Sequence, residues 1–192
     1  MDEPSGRSED SEDSEAESTS PTVERSADLA AAIADTIQAR SANLAVAESC
    51  TAGALAATLA EGGNGSQWLR AGLVAYQDEV KRKLLDVRAS STVTRRAAAE
   101  MASGAARLFD TEHAVATTGV FGDDPVDGVE PGTVMVATYI RGDVRVTENH
   151  FDDEDPEALS HDAVLVALGQ LLEHLGDGSP ADKSGSDLLQ ET

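Results

Sequence analysis

The chain has one cysteine, Cys50, so no disulfide can close within it and no cysteine-rich metal site can be assembled. Lysine is nearly as scarce, with Lys81, Lys83 and Lys183 the only three. Aromatic residues make up 3% of the 192 positions. No segment approaches the roughly 18 apolar residues that a membrane-spanning helix requires, and the acidic, polar opening predicts no secretory leader. No Gly-x-Gly-x-x-Gly, phosphate-binding loop or zinc signature occurs, and no internal repeat. His113, His150, His161 and His174 are scattered without metal-ligand spacing. These absences lead to the expectation of a cytoplasmic protein without metal, cofactor or membrane partner.

Acid is what the chain has in excess: 36 Asp and Glu face 14 Lys and Arg, for a net charge of −22. That surface repels polyanions, which argues against nucleic acid as a partner. Few lysines, many carboxylates, much alanine and little aromatic content suggest a protein suited to concentrated salt, where the Debye length falls to about 3 Å. The alternative is that the acid sits mainly in the tails, yet the body remains acidic without them.

The length suits one domain. Residues 1–25 are Ser, Asp and Glu with almost nothing apolar, which predicts a disordered tail; residues 177–192 predict a second. Between them, Ser26 is expected to cap a helix carrying Leu29, Ile33 and Ile37 on one face. Leu44 to Ala47 read as a buried strand. It stops at Glu48-Ser49-Cys50-Thr51, and helix formers follow to about Glu61, where Gly62-Gly63-Asn64-Gly65 makes a loop. A serine at a strand-to-helix turn lies beside unpaired backbone N–H groups and the positive end of the helix dipole, where an anion forming at Ser49 would be stabilised. The simpler alternative is that Ser49 or Thr51 only caps the helix.

Ser66 is a candidate cap, with Trp68 and Leu69 as buried anchors. Ala71 to Tyr76 reads as an apolar strand, and Gln77-Asp78-Glu79 opens a short helix with Lys81 in its first turn. In doubly wound sheets, strand C-terminal ends and the helix starts after them form the ligand rim. Ser49 and Lys81 therefore share a crevice if their strands are neighbours; otherwise Lys81 pairs at the surface with Asp78 or Asp86. Thr92 to Phe109 reads as a helix with Thr94 as cap. His113 to Gly119 is a strand ending in Thr117-Thr118-Gly119. Residues 120–131 are a loop long enough to bind a ligand, Thr133–Ile140 and Asp143–His150 form a hairpin turning on Arg141-Gly142, and Ala158–Leu175 is a final amphipathic helix. The histidine placement does not support a Ser-His-Asp triad, which leaves serine and lysine as the nucleophile and base on offer.

Four blocks in order, Ala47-Glu48-Ser49-Cys50-Thr51 with Gly53, Val74-Ala75-Tyr76 with Lys81 and Leu84-Leu85, Thr118-Gly119, and Gly132-Thr133-Val134, resemble the CinA C-terminal domain family, the nicotinamide-nucleotide amidohydrolases, in its stand-alone form. The resemblance spans about Ala30 to Leu175. It implies a single three-layer α/β/α domain over residues 26–176, with a mixed, mostly parallel sheet and the site at the C-terminal rim of the parallel strands. The alternating strand and helix signals agree with this. It further implies hydrolysis of the carboxamide of nicotinamide mononucleotide to nicotinic acid mononucleotide and ammonia, without a metal. Ser49 matches the nucleophile, Lys81 the general base and Tyr76 its support. Glu48, Cys50, Thr51, Gly53, Thr118 and Gly119 match the oxyanion and substrate-lining blocks. Small α/β domains commonly associate, which predicts a homo-oligomer.

The chain departs from the family pattern in three places. Ala52 replaces a glycine. The loop after Gly119 is Val120-Phe121-Gly122-Asp123-Asp124-Pro125, with two carboxylates where a phosphate-bearing ligand is expected. Asp152-Asp153-Glu154-Asp155 stands where the family carries arginines able to clamp a phosphate, leaving Arg141 and Arg145 as candidate substitutes. The alternatives to a nucleotide amidase are therefore an amidase for a phosphate-free small amide and a catalytically weak ligand-binding relative.

Overall fold

The computed structural model describes residues 21–153 and 155–177. In chain order these form α1 (Pro21–Ala39), β1 (Leu44–Glu48), α2 (Ala54–Glu61), α3 (Gly65–Trp68), β2 (Leu69–Val74), α4 (Asp78–Leu85), α5 (Arg95–Phe109), β3 (His113–Gly119), β4 (Thr133–Ile140), β5 (Asp143–His150) and α6 (Pro156–Gly176). The strands make one sheet in the order β2-β1-β3-β4-β5. β2, β1 and β3 run parallel, and β4 and β5 continue the sheet as antiparallel neighbours. The sheet is mixed, as expected, with its pairings split evenly between the two kinds.

Alternation along the strands builds two unlike cores. Leu44, Val46, Val115, Val134 and Val136 meet Ile33, Ile37, Leu55, Leu59, Trp68, Leu168 and Leu171 from α1, α2, α3 and α6. Each large side chain buried there contributes about 1.5–3 kcal/mol of transfer free energy. Ala45, Ala47, Ala114, Ala116 and Ala137 face the opposite way, towards Ala98, Met101, Ala102 and Ala105 of α5. Small residues on both partners let α5 lie close to the sheet. Gly104 does the same for the α4–α5 crossing, where a Cβ would fall on the Leu85 carbonyl.

Several expected boundaries hold and several move. Thr94 caps α5, its hydroxyl accepting from the Ala97 N–H at 3.0 Å. The hairpin turns at Arg141 (φ 50°) and Gly142 (φ 98°), the left-handed pair that a two-residue turn demands. The first helix begins at Pro21 rather than at Ser26; proline suits a first helical turn because its missing N–H is not needed there. The remainder of both predicted tails, residues 1–20 and 178–192, lies outside the described residues. The second strand spans Leu69–Val74 rather than Ala71–Tyr76 and is an edge strand whose side chains alternate between half-buried and exposed. Trp68 is buried as expected, Leu69 only partly, and Ser66 lies inside α3, whose cap position is Asn64. No helix among the described residues is long and apolar enough to cross a membrane.

Candidate active site

The parallel register sets Val74, Glu48 and Thr117 side by side, so the segments leaving β2, β1 and β3 emerge level at one edge. The chain goes from β1 to β2 on one side, and from β3 to β4 on the other. The edge between β1 and β3 is thus the point where the connections diverge, the ordinary place for a ligand crevice. A cleft of about 630 Å³ opens there, and Ser49, Cys50, Tyr76, Lys81, Thr92, Gly119 and Phe121 are among the residues lining it.

The turn after β1 is fixed from below by Glu48, which is fully buried. Its carboxylate accepts from the Thr51 hydroxyl at 2.6 Å and from the amides of Gly53 (3.0 Å), Leu55 (3.1 Å) and Ala56 (2.9 Å). Glu48 therefore occupies the N-terminus of α2, and that corrects the expectation that these amides stand free for an anion beside Ser49. It also removes Ser49 and Thr51 as caps, since the cap position is Gly53 with φ 109°, a conformation suited to glycine. Thr51 shares a second hydrogen bond with Thr117, 2.7 Å between the hydroxyls. The amides of Cys50 and Thr51 make no backbone or carboxylate hydrogen bond among the described residues; both lie against the Cys50 thiol and favour its thiolate. Burial opposes them and wins, pushing the thiol up to about 12, so it is protonated and unreactive near neutrality.

Lys81 is 3% exposed. Its Nζ donates to the Tyr76 carbonyl at 3.1 Å and to Asp78 Oδ1 at 3.4 Å. The same Asp78 oxygen accepts from the Thr92 hydroxyl at 2.6 Å, and that bond, with Lys81 assisting, holds the Asp78 carboxyl below its ordinary range. Thr118 in turn donates to the Thr92 carbonyl at 2.8 Å. Lys81 and Ser49 line the same cleft without a hydrogen bond between them.

The structure thus brings Ser49, Cys50, Tyr76, Lys81 and Gly119 to one cavity. Glu48, Thr51, Gly53 and Thr118 do not line it; they hold the turn and the α5 approach in place. Tyr76 meets Lys81 through its backbone, its ring being 68% exposed. Thr92 and Thr117 were not singled out from sequence, because their partners are distant along the chain and no local pattern marks them. Arg141 pairs with Glu112 and Arg145 with Asp177 and Asp143, and neither lines the cleft. Among the described residues no three His, Cys, Asp or Glu side chains gather as a metal-binding set.

A hydroxyl, imidazole and carboxylate do line up elsewhere. Thr138 Oγ1 lies 2.8 Å from His174 Nδ1, and His174 Nε2 lies 2.9 Å from Asp143 Oδ2. Thr138 is fully buried and His174 4% exposed, so this row joins β4, β5 and α6 without access to a ligand.

Comparison with known proteins agrees with this fold. The family model described as the CinA C-terminal domain matches residues 26–175. Protein YdeJ of Escherichia coli is 38% identical over 111 residues, covering 55% of this chain and 64% of that one. A CinA-like protein of Shewanella baltica is 36% identical over 92 residues, 45% of this chain and 22% of its own. The chain therefore matches less than two thirds of the length of these curated relatives. The crystal structure of competence damage-inducible protein A of Klebsiella pneumoniae superposes with a TM-score of 0.76 at 34% identity, covering 80% of this chain and 99% of that one.

Proposed function

We propose that this chain, which belongs to the CinA C-terminal domain family, is a cytoplasmic Ser/Lys amidohydrolase that deamidates nicotinamide mononucleotide to nicotinic acid mononucleotide and ammonia. The observation that carries the reading is that Ser49, in the turn after β1, and Lys81, in the helix α4 that follows the neighbouring parallel strand β2, line one cleft at the switch point.

In this reading Ser49 Oγ attacks the carboxamide carbon while Lys81, acting as general base, takes the hydroxyl proton. The carbonyl oxygen becomes an oxyanion facing the Cys50 and Thr51 amides. The C–N bond then breaks and Lys81 returns the proton to the departing nitrogen, giving ammonia and an acyl-serine. Water, deprotonated by Lys81, releases the carboxylic acid and regenerates Ser49. The Tyr76 carbonyl and the Asp78–Thr92 pair fix where Lys81 Nζ sits. The raised Cys50 thiol supports Ser49 as nucleophile over its neighbour. The missing Ser49–Lys81 hydrogen bond favours a second reading, a relative that binds the ligand without turning it over. In catalysis that contact forms when substrate closes the site. Association of copies is supported by the open edge of β2, which carries exposed Val74 with exposed Tyr76 just beyond the strand.

The test is ammonia release from nicotinamide mononucleotide by the full chain in molar potassium chloride. Ser49→Ala is expected to abolish release with its melting temperature unchanged, and Cys50→Ala to retain it. Full turnover by Ser49→Ala rejects the mechanism; ligand binding without turnover by the wild type favours the second reading.

A further inference from the structure

We infer that the Ser49–Lys81 cleft is built for an amide that carries positive charge and no phosphate, a pyridinium carboxamide of the ribosyl or alkyl kind. The inference rests on the amidohydrolase reading and refines it, ranking phosphate-free pyridinium amides above the mononucleotide as substrates.

Three observations converge. First, the ionisable side chains lining the cleft besides Tyr76 and the neutral Cys50 are Lys81 against Asp78, Asp124 and Glu157. The lone basic side chain among the described lining residues is already engaged by the Tyr76 carbonyl and Asp78, and no arginine is among them. Second, two of the helix N-termini at this rim, which would be ready-made phosphate cradles, are closed to an anion, and that of α4 carries the carboxylates of Asp78 and Glu79 in its first turn. That of α2 is filled by the Glu48 carboxylate. That of α6 is capped by Asp155, starts with Pro156, which has no N–H, and presents Glu157 to the cleft.

Third, Phe121 and Gly122 line both this cleft and an adjoining one of about 540 Å³. The second space is bounded by Phe151 and by Asp123, Asp152 and Asp153, again with no basic residue among the described ones. A ligand whose carboxamide reaches Ser49 has Phe121 beside it and carboxylates on the far side. A pyridinium ring gains from both, through the aromatic face and through charge. A phosphate dianion on the same molecule faces only like charge.

The full-length protein is given three amides: 1-methylnicotinamide, nicotinamide riboside and nicotinamide mononucleotide. Ammonia release yields kcat/KM for each at low salt and in molar potassium chloride. The riboside is expected to exceed the mononucleotide by about tenfold or more at low salt, and the gap to narrow in molar salt as charges are screened. The double variant Asp124→Asn, Glu157→Gln should shrink the low-salt gap by about fivefold or more, chiefly by lowering KM for the mononucleotide. Preference for the mononucleotide, or a ratio that neither salt nor the double variant changes, overturns the inference. If none of the three amides releases ammonia, the amidohydrolase reading fails instead. Calorimetric binding of riboside and mononucleotide then decides the charge preference separately: tighter binding of the riboside upholds it, and equal or weaker binding overturns it.

Discussion

Ser49 and Lys81 stand at an open rim, whereas Thr138, His174 and Asp143 stand in a closed seam between β4, β5 and α6. The second group has the better internal geometry, with two hydrogen bonds under 3 Å joining hydroxyl, imidazole and carboxylate. The first has no direct bond between Ser49 and Lys81, yet it borders about 630 Å³ of space. Interatomic distances alone would choose the buried row. Access chooses the serine and lysine, because a substrate must reach the reacting oxygen. The buried row instead satisfies polar groups that would otherwise be costly to bury.

This contrast can be broken from either side. The largest effect is expected at the rim: Lys81→Met should reduce turnover by about 10²–10⁴-fold, with the far-UV spectrum of the wild type. Activity within a few-fold of wild type would remove Lys81 as the base. In the seam, His174→Ala should leave kcat/KM nearly unchanged and cost about 1–3 kcal/mol of stability in denaturant melts, because Thr138 and Asp143 lose a buried partner. A large loss of activity at unchanged stability would reverse the assignment of the two groups.

A smaller effect follows from pH. Burial pushes His174 below the ordinary histidine range, against the pull of Asp143. Burial likewise depresses His113, whose Nδ1 meets the Asn43 carbonyl at 3.3 Å and whose buried Nε2 has no partner. With both native values below about 6.5, the unfolded chain binds more protons as pH falls. Stability from these groups is therefore full above about 6.5 and is lost progressively below it. Chemical melts from pH 7.5 to 5 should show the decline, and His174→Gln should flatten part of it. A wild-type stability constant across that range would contradict the burial argument. The mildest expected effect is on the surface: molar potassium chloride should raise the melting temperature by screening the net charge of −22, equally in wild type and His174→Ala. A melting temperature indifferent to salt would count against adaptation to salt.

Much of the fold was legible because its signals are local. The Thr133–Ile140 and Asp143–His150 strands follow from apolar alternation about a two-residue turn, and the Thr94 cap from one side chain and an amide three residues on. Glu48 shows the limit. Its place in the Glu-Ser-Cys-Thr block marked it as part of the site, but the same carboxylate lies buried under the turn and closes the helix end that the sequence seemed to leave open. Thr92 reads from sequence as the start of the helix that in fact begins at Arg95, and only the approach of α4 makes it a partner of Asp78.

The sequence by itself determined the element order, the two apolar faces of the strands and the family of the chain, since each rests on residues close along the backbone or on blocks matched in order. Only the tertiary structure decided which polar groups reach a cavity and which are sealed in the core. That choice depends on strand order and helix packing: pairing β1 with both β2 and β3 sets Ser49 beside Lys81, while the closing of α6 over β4 and β5 shuts His174 away. The energies involved belong to contacts between residues 25 to 69 positions apart, which no local pattern encodes.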